Sequence, residues 1–451
     1  MSLGLFLDIG STYTKGRVVD LAEGQVVASA KAYTTVETDV TLGINDCLKE
    51  LSCQIGKKEY EIKLASSSAA GGLRMAAVGL VRDLTTEAAK KAALTAGARV
   101  EKAYSYELTA KDLEEITVLD PDIILLAGGT DGGNKQYILE NARKLTKLKL
   151  KGTVIVAGNR SAAEEIKEIL QGRVSYKIAP NVLPELNKLN IEPVQEIIRE
   201  VFLEKIVEAK GLKKAEQIVD KVMMPTPLAV LKGAELLAKN LGELIVVDVG
   251  GATTDVHSVA SGNPAFSGVS LKGLPEPYVK RTVEGDLGLR RTVKNVVEYG
   301  FEEFNQKGID IKKIEEYLGK ILENPAFLPQ EADEKEIEIT LAQICVKAAM
   351  NRHAGRLEEV WTPAGKSYMQ YGKDLTKVSA VIGTGGPLVY SADPKKILQA
   401  GTFEDSRPFI LKPKRPEFYL DKLYILFAAG LLSEGFAGLG LKLLKNSIEK
   451  I

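Results

Sequence analysis

Two aspartates follow apolar runs at points where a chain could hold a metal-bound polyphosphate. Asp8 lies near the end of LGLFLDIG, and Asp248 lies near the end of ELIVVDVG. In both stretches glycine and small hydroxyl residues follow, and a second apolar run then begins. Glycine lets backbone N–H groups approach an anion, and hydroxyl groups donate further hydrogen bonds. The predicted contacts are Gly10, Ser11, Thr12 and Lys15 in the first turn, and Gly250, Gly251, Thr253 and Thr254 in the second.

A carboxylate beside a phosphate needs a partner, because the two groups repel each other. A hard cation such as Mg²⁺ removes this repulsion and binds carboxylate oxygens, usually while keeping several waters. We therefore predict that Asp8 and Asp248 lie on the metal side of a catalytic site. The alternative is that each aspartate only closes a tight hairpin by bonding its own backbone. A single copy would favour that alternative, whereas two copies 240 residues apart favour a shared site.

A third glycine cluster lies in VSAVIGTGGPLVY, residues 378–390. A strand that ends in several small residues permits close approach of a flat base or a ribose. The sequence contains no P-loop motif, and this cluster does not match the dinucleotide-binding fingerprint. The predicted nucleoside contacts are Gly383, Thr384, Gly385 and Gly386.

Apolar, β-branched runs alternate with amphipathic helical patterns along most of the chain. After the first hairpin, QVVASAKAYTTV predicts a third strand, and DVTLGINDCLKELS predicts a helix that begins near Asp39 or Thr41. Further units of strand, glycine turn and helix follow, such as DIILLAGGTDGGNKQYILENARKL. This alternation is typical of parallel sheets that are covered on both faces, so we predict an α/β fold.

The composition limits the classes of partner. Lys plus Arg and Asp plus Glu both number 60, which argues against attachment to nucleic acid or anionic lipid by net charge. Cys47, Cys53 and Cys345 lack the spacing of a zinc site or a disulfide framework and fit a reducing compartment. The apolar tract from Leu423 is interrupted by Glu434, so it predicts a packed helix pair rather than a membrane span. We expect a cytoplasmic protein of two or more domains, without a nucleic-acid or membrane partner.

In their order along the chain, the three motifs resemble those of the actin, Hsp70 and sugar-kinase superfamily of ATPases. DIGSTYTK is similar to its first phosphate motif, DVGGATTD to its second and VIGTGGPL to its adenosine motif. MPTPLAVLKGAELL, residues 224–237, is similar to the connecting helix, and VEGDLGLRRTV, residues 283–293, to the segment after the second motif. The resemblance implies two actin-like (ribonuclease H-like) domains with Mg-ATP in the cleft between them. It also implies nucleotide contacts by Glu284 and Asp286.

Within that superfamily, the whole chain most closely resembles the MutL or GlmL accessory proteins of adenosylcobalamin-dependent mutases. The stretches that carry this resemblance include SSSAAGGLRMAAVGLV, LLAGGTDGG, AGNRSAAEEI and PTPLAVLKGAELL. The resemblance implies a slow, chaperone-type ATPase that reactivates a mutase, such as glutamate mutase or an aminomutase, by releasing its damaged cofactor. It implies a mutase subunit as the protein partner and leaves open whether the chain forms a homodimer.

The repeat and the resemblance together predict the domain boundaries. Residues 1–240 form the first actin-like domain, which includes an enlarged α/β subdomain at about 62–215. Residues 241–420 form the second, and residues 421–451 form helices that pack back on the first. The part of 62–215 that exceeds a minimal actin-like half is assigned to partner recognition.

One position departs from the superfamily pattern. Where Hsp70-like proteins carry a carboxylate that helps to position the attacking water, at the start of the connecting helix, this sequence has Met224. Methionine cannot accept a proton or orient water through a strong hydrogen bond. We therefore predict slow hydrolysis, or hydrolysis assisted by another carboxylate such as Asp255 or Asp8.

Two other functions on the same fold remain open from the sequence. A metabolite kinase would transfer the γ-phosphate of ATP to a small molecule, and it needs a general base near an acceptor pocket. An activator of a radical dehydratase would need a cysteine-ligated cluster at a dimer interface, and the cysteine positions give that alternative little support.

Several remaining residues have both a structural and a functional interpretation. For His257 we favour a structural role in a strand, and His353 lies too far along the chain to suggest a shared metal site. Arg290 and Arg291 either reach the nucleotide or line a solvated helix face. The glycine turn Gly128–Gly133 is interpreted as a strand-to-helix connection, with a second anion site as the alternative.

Overall fold

The computed structural model describes residues 2–10, 13–35, 39–68, 73–208, 218–363 and 365–451. The chain forms two compact units. Unit 1 contains Met1–Gly233, Gly273–Pro277 and Phe427–Leu443, and unit 2 contains Ala234–Lys272, Tyr278–Leu426 and Leu444–Ile451.

Strands and helices alternate along both units. The strands are β1 (Leu3–Ile9), β2 (Tyr13–Asp20), β3 (Gln25–Tyr33), β4 (Ile62–Ser67), β5 (Arg74–Gly79), β6 (Arg99–Ser105), β7 (Ile123–Leu126), β8 (Thr153–Val156), β9 (Tyr176–Ile178), β10 (Lys221–Pro225), β11 (Leu244–Val249), β12 (Thr254–Val259), β13 (Val269–Lys272), β14 (Val279–Glu284), β15 (Arg356–Thr362), β16 (Gly365–Tyr371), β17 (Ala380–Thr384), β18 (Glu417–Leu420) and β19 (Glu449–Lys450). The α-helices are α1 (Val40–Ile55), α2 (Glu87–Thr95), α3 (Ala110–Leu119), α4 (Gln136–Leu145), α5 (Ala163–Leu170), α6 (Glu192–Glu208), α7 (Thr226–Leu241), α8 (Val293–Tyr299), α9 (Phe301–Gln306), α10 (Ile311–Glu323), α11 (Ala332–His353), α12 (Gly386–Val389), α13 (Pro394–Gln399), α14 (Leu426–Leu432) and α15 (Ala437–Ser447). A π-helical turn spans Arg82–Thr86, and a 3₁₀ turn spans Arg160–Ala162.

The main sheet of unit 1 has the strand order β10-β4-β1-β2-β3. β1, β2 and β3 form an antiparallel meander, β4 runs parallel to β1, and β10 runs parallel to β4. Every residue of β1 is buried, as expected for a central strand covered on both faces. α1 begins after Asp39, whose side chain accepts the backbone N–H of Thr41 at 2.9 Å, so the predicted start of this helix is confirmed.

The main sheet of unit 2 repeats this arrangement, with the order β14-β12-β11-β17-β18-β19. β11, β12 and β14 form the antiparallel meander, and β17 and β18 are added in parallel beside β11. In this sheet order, β14, β12, β11, β17 and β18 therefore take the places of β3, β2, β1, β4 and β10 in unit 1. This duplicated topology is that of two actin-like (ribonuclease H-like) halves, and the predicted fold class is confirmed.

Unit 1 contains a second sheet, which is wholly parallel and has the order β6-β5-β7-β8-β9. α2, α3, α4 and α5 connect its successive strands. In β5, Met75 and Ala77 pack into the hydrophobic core shared with β1, whereas Ala76 and Val78 pack into a separate core on the other face. The alternation shows why this stretch is almost wholly apolar: both faces of the strand are covered.

The C-terminal apolar tract forms α14 and α15, so the predicted helix pair is confirmed. Its segment Phe427–Leu443 belongs to unit 1. There the Arg199 guanidinium donates to both carboxylate oxygens of Glu434, at 2.5 and 2.8 Å. A Cβ built at Gly430 would lie 1.8 Å from the Ala229 carbonyl oxygen, so α14 and α7 approach closely. Within the described ranges, no helix combines the length and the apolar character needed to cross a bilayer.

Candidate functional site

The two predicted phosphate turns are closed by equivalent backbone hydrogen bonds. The N–H of Gly10 donates to the Tyr13 carbonyl at 3.1 Å, and the N–H of Gly250 donates to the Thr253 carbonyl at 2.9 Å. A Cβ at Gly10 would lie 2.6 Å from the Tyr13 oxygen, which explains the need for glycine there. Two of the predicted contacts in the first turn, residues 11 and 12, lie outside the described residues.

Asp8 lies in unit 1 where three strands end together. Its side chain is buried, and its register partners are Lys15 on β2 and Ser66 on β4. The Thr226 hydroxyl donates to Asp8 Oδ1 at 2.6 Å, and the Lys15 ammonium lies 3.5 Å from Oδ2. The Ser66 hydroxyl lies 3.2 Å from the Thr226 oxygen. The carboxylate therefore lies at the carboxyl end of β1 among residues from three other segments of the chain.

Asp248 occupies the equivalent position in unit 2, with Asp255 and Thr384 as its register partners. The carboxylate of Asp255 accepts hydrogen bonds from Arg281, by Nε at 2.9 Å and by Nη2 at 2.6 Å, and from the Thr253 hydroxyl at 2.9 Å. The Arg281 guanidinium is itself almost completely buried. Asp255, which we predicted as a substitute for the missing carboxylate, is thus fixed in an ion pair beneath the second turn.

The segment that follows β14 packs against the second turn through its backbone. Leu289 N–H donates to the Gly250 carbonyl at 3.1 Å, and the N–H groups of Arg290 and Arg291 both donate to the Gly251 carbonyl at 2.8 Å. The buried hydroxyl of Thr254 donates to the Leu287 carbonyl at 2.6 Å. These contacts hold the turn rigidly, and Thr254 contributes to it as a structural residue.

The two arginines of this segment have different surroundings. The Arg290 guanidinium donates to both oxygens of Glu338, at 3.3 and 3.0 Å, and to the carbonyls of Pro325 and Phe327. Arg290 therefore ties the segment to α11, a role that neither predicted alternative included. Arg291 is exposed.

Glu284 and Asp286 share one basic partner. Arg352, in the last turn of α11, donates to Glu284 at 2.7 Å and to the two oxygens of Asp286 at 2.7 and 2.8 Å. Burial raises the pKa of Glu284, although the hydrogen bond from Arg352 opposes this shift. The hydrogen bond from Arg352 lowers the pKa of Asp286. The guanidinium also stacks over the Tyr299 ring at 5.7 Å, so this acidic pair is organised from a distant helix.

The third glycine cluster lies at the end of β17, next to β11. Gly385 has φ +96°, and a Cβ there would lie 2.2 Å from the Val249 carbonyl oxygen. At Gly383 a Cβ would meet Leu398 at 3.0 Å, whereas at Gly386 the nearest atom is the Tyr424 hydroxyl at 3.9 Å. Gly385 is therefore required by packing within unit 2, whereas a side chain at Gly383 would require Leu398 to shift. Gly386 is the glycine of this cluster at which a side chain has space.

The prediction for Met224 is wrong in its placement. Met224 is the fourth residue of β10 and is fully buried, with Ser66 as its register partner. The connecting helix α7 begins at Thr226, and it is the Thr226 hydroxyl that reaches Asp8. Met224 in the strand and Thr226 at the start of the helix have different surroundings. The sequence pattern did not show which of the two residues begins the helix.

Both histidines are buried in unit 2. His353 is hydrogen-bonded through Nδ1 to the Thr282 hydroxyl at 2.9 Å and through Nε2 to the Ser258 hydroxyl at 2.8 Å. Burial, followed by the nearby cation of Arg281, lowers the pKa of His257 to about 3. The Nδ1 atom of His257 is buried without a hydrogen-bond partner. Burial also lowers the pKa of His353 well below its usual value, so both side chains are uncharged at neutral pH and form part of the interior.

The turn Gly128–Gly133 is a strand-to-helix connection. The side chain of Asn159 accepts the N–H of Gly132 at 3.2 Å and donates to the Gly133 carbonyl at 2.9 Å. The N–H of Gly133 donates to the Thr130 carbonyl at 3.0 Å. Donors that an anion would need are thus used within the turn, which supports the structural interpretation over a second anion site.

Thr226, Arg281 and Arg352 contact predicted site residues, but we did not identify them from the sequence. The partners of Arg281 and Arg352 are set by sheet register and by the packing of α11, which a linear pattern does not show. For Thr226 a signal was present, because the hydroxyl residue stands directly between Pro225 and Pro227 at a helix start.

Comparison with known proteins identifies close relatives along the whole chain. The model of the family described as MutL protein matches residues 4–448. A protein from Clostridium tetanomorphum, "Protein MutL", is 46% identical over 465 residues and is aligned over 100% of both chains.

Solved structures show weaker similarity. The diol dehydratase-reactivating factor in its nucleotide-free form has a TM-score of 0.37 at 10% identity, with 96% of this chain and 99% of that chain covered. Component A of the (R)-2-hydroxyglutaryl-CoA dehydratase of Acidaminococcus fermentans has a TM-score of 0.30 at 10% identity, with 98% and 97% covered. Gluconate kinase from Lactobacillus acidophilus has a TM-score of 0.36 at 12% identity, with 100% and 93% covered.

Proposed function

Because this chain belongs to the MutL protein family, we propose that it is an ATP-dependent accessory protein that reactivates an adenosylcobalamin-dependent mutase. Its sequence resembles the MutL and GlmL accessory proteins in the motifs quoted above. In this proposal the protein binds Mg-ATP, hydrolyses it slowly and uses the change of nucleotide to release a damaged cofactor from the mutase.

The observation that carries the nucleotide part of the proposal is the repeated aspartate hairpin. Asp8 and Asp248 lie at equivalent positions of two equivalent sheets, each beside a turn closed by the same glycine hydrogen bond. A hairpin that was needed only for folding would not require a carboxylate at this position in both units. The duplication therefore supports a shared ligand with negative charge and a metal ion.

The residues present fit Mg²⁺ in type. Mg²⁺ prefers oxygen ligands and is often held by one or two carboxylates together with substrate phosphates. In Asp8, the contact of Oδ2 with Lys15 is long at 3.5 Å, and the Lys15 side chain is partly exposed. We propose that Lys15 exchanges this contact for a phosphate, while Asp8 and Asp248 bind the hydrated metal ion. The metal would neutralise developing charge on the phosphates during hydrolysis.

The coupling to the mutase requires differential affinity. A nucleotide shifts the conformation of its carrier only as far as it binds one state more tightly than the other. Mg-ATP and Mg-ADP forms must therefore bind the inactivated mutase with different affinities. Slow hydrolysis suits this role because the ATP-bound state then lasts long enough to engage the mutase.

The proposal is tested with glutamate mutase inactivated by hydroxocobalamin. The chain is added with Mg-ATP and free adenosylcobalamin, and mutase activity and released hydroxocobalamin are measured. We expect recovery with Mg-ATP and none with ADP, and none with the Asp8→Asn variant. The same experiment with an aminomutase distinguishes between the two mutase types.

Two results would contradict the proposal. One is the absence of recovery for both mutases although Mg-ATP is bound. The other is rapid release of ADP that depends on a small-molecule acceptor and not on mutase, which would identify the chain as a metabolite kinase.

A further inference from the structure

The two oxygens of the Asp8 carboxylate have partners of different strength. Oδ1 accepts the Thr226 hydroxyl at 2.6 Å, a short distance typical of a hydrogen bond to a charged acceptor. Oδ2 lies 3.5 Å from the Lys15 ammonium, at the limit of hydrogen bonding. Lys15 is partly exposed, so its contact is screened and readily exchanged. The orientation of the carboxylate is therefore set by Thr226.

Thr226 is held firmly enough to set that orientation. It is the first residue of α7 and directly follows β10, which is paired with β4. The preceding residue, Pro225, has a fixed φ angle because of its ring. Pro225 also packs against the turn that follows α2, where a Cβ at Gly97 would lie 3.1 Å from the proline Cβ. Threonine is branched at Cβ, which restricts its rotation. The hydroxyl thus has little freedom to leave Asp8.

The hydroxyl of Thr226 has a single proton to donate. Of its two neighbours, the charged oxygen of Asp8 at 2.6 Å is closer than the Ser66 hydroxyl at 3.2 Å, so the proton belongs to the contact with Asp8. Ser66 is fully buried and is in register with Asp8. It completes a short polar chain from β4 through α7 to β1.

A related contact occurs at the equivalent place in unit 2. There the Thr384 hydroxyl on β17, which is in register with Asp248, lies 3.5 Å from Asp421, just after β18. In unit 1 the residue after the outer parallel strand carries the hydroxyl. In unit 2 the residue after the outer parallel strand is Asp421, which carries the carboxylate. This carboxylate also accepts the N–H groups of Ile425 and Leu426. In unit 1 this contact leads to Asp8, the aspartate of the hairpin.

We propose that Thr226 is the positioning residue of Asp8. By holding Oδ1, it leaves Oδ2 for the hydrated metal ion when Lys15 turns to a phosphate. This inference rests on the proposed function for the identity of the ligand, Mg-nucleotide. Thr226, and not Met224, is the residue at the start of the connecting helix.

The inference is tested by comparing Thr226→Val and Thr226→Ser. Valine keeps the shape of threonine and removes the hydroxyl, and serine keeps the hydroxyl. The probe is Mn²⁺ with ADP, and the free Mn²⁺ is measured by electron paramagnetic resonance, so that no turnover is needed. We expect Thr226→Val to weaken Mn²⁺ binding in the presence of ADP by roughly 10-fold, the loss of a hydrogen bond to a charged group, and Thr226→Ser to restore it.

Thr14→Val is the matched control. Thr14 is a buried threonine of the adjacent strand β2, and its hydroxyl is bonded to that of Thr34 at 2.9 Å rather than to Asp8. We expect this variant to lose stability without a change in Mn²⁺ binding. Affinity for ADP without metal should be the same in all variants.

Three outcomes would overturn the inference: no Mn²⁺ binding by the wild-type chain with ADP, unchanged binding in Thr226→Val, or equal loss in Thr226→Ser and Thr226→Val. The failure of the proposed function is separate from these. If the wild-type chain binds Mn²⁺ with ADP but reactivates no mutase, the proposed partner is wrong, and the comparison of the two Thr226 variants still decides the role of Thr226.

Discussion

Gly385 lies directly against Val249, so the third glycine cluster and the strand that carries Asp248 are packed together. A Cβ at Gly385 would be 2.2 Å from the Val249 carbonyl oxygen and 2.7 Å from Asp248 Oδ1. The positive φ of +96° adds strain for any residue with a side chain. The glycine therefore allows β17 and the second hairpin to approach this closely.

Gly385→Val is expected to destabilise unit 2. The combined cost of the collision and the unfavourable backbone angle is roughly 3 kcal/mol or more. It is measured as the change in the free energy of unfolding by urea denaturation. A variant as stable as the wild type would show that β11 and the glycine cluster are not in contact.

Gly386→Ala tests the nucleoside contact without this collision, because the nearest atom to the added Cβ is 3.9 Å away. If the base or ribose lies against this cluster, the variant should bind ATP and ADP more weakly by similar factors. The stability of the fold should be unchanged. Calorimetry that gives wild-type affinity for both nucleotides would place the nucleoside elsewhere.

Asp8→Asn and Asp248→Asn are each expected to slow Mg²⁺-dependent ATP hydrolysis strongly with the fold intact. Asparagine keeps the shape of the side chain but removes the charge that a metal ion requires. A metal ion contributes several kcal/mol to charge stabilisation in such reactions, so the rate should fall by roughly 100-fold or more. The control is Asp46→Asn, which changes an exposed carboxylate on α1. Wild-type hydrolysis in both site variants would refute the metal assignment.

Met224→Glu is expected to destabilise unit 1 rather than to speed hydrolysis. Met224 is fully buried, and a carboxylate there would have to be desolvated or protonated. The expected loss is roughly 3 kcal/mol or more in the free energy of unfolding. Met224→Leu, which conserves volume, should cost less than about 1.5 kcal/mol. A stable Met224→Glu variant with faster single-turnover hydrolysis would show that residue 224 reaches the attacking water.

The buried histidines predict sensitivity to acid. The pKa of His257 is about 3 in the folded protein against an ordinary value of 6.5. The unfolded chain therefore takes up a proton that the folded chain excludes, and stability decreases as the pH falls from 6.5 towards 3. At pH 5 this one group costs roughly 2 kcal/mol.

The contribution of His257 is isolated with His257→Gln. The dependence of unfolding free energy on pH between 5 and 7 gives the number of protons taken up on unfolding, which should fall by up to about one in the variant. Absolute stability is not the readout, because the substitution also changes packing. An unchanged pH dependence would mean that His257 is not held neutral.

The hairpins and the fold class could be predicted from sequence because their determinants are local. Gly10 and Gly250 close turns between apolar runs, and the repeat of this pattern indicates the duplicated sheet. The position of Met224 could not be predicted in the same way. Whether it or Thr226 faces Asp8 depends on where β10 ends and α7 begins, and helix boundaries shift by a residue or two without changing the apolar pattern.

The partners of the acidic residues could not be predicted for a different reason. Arg281 reaches Asp255 because β14 lies beside β12, and Arg352 reaches Asp286 because α11 ends near the edge of the same sheet. These pairs are 26 and 66 residues apart in sequence. The resemblance gave Glu284 and Asp286 as nucleotide contacts but carried no information about the arginine that binds both.

The return of Phe427–Leu443 to unit 1 affects how the protein is made. Gly430 on α14 packs against Ala229, and Glu434 binds Arg199, so the first unit lacks these contacts until Phe427–Leu443 has been synthesised. At roughly 5–20 residues per second, the ribosome needs on the order of tens of seconds to travel from Gly233 to this segment. During that time the surface of α7 that faces α14 is uncovered on the nascent chain. Premature termination before Phe427 therefore damages the half of the protein that was translated first.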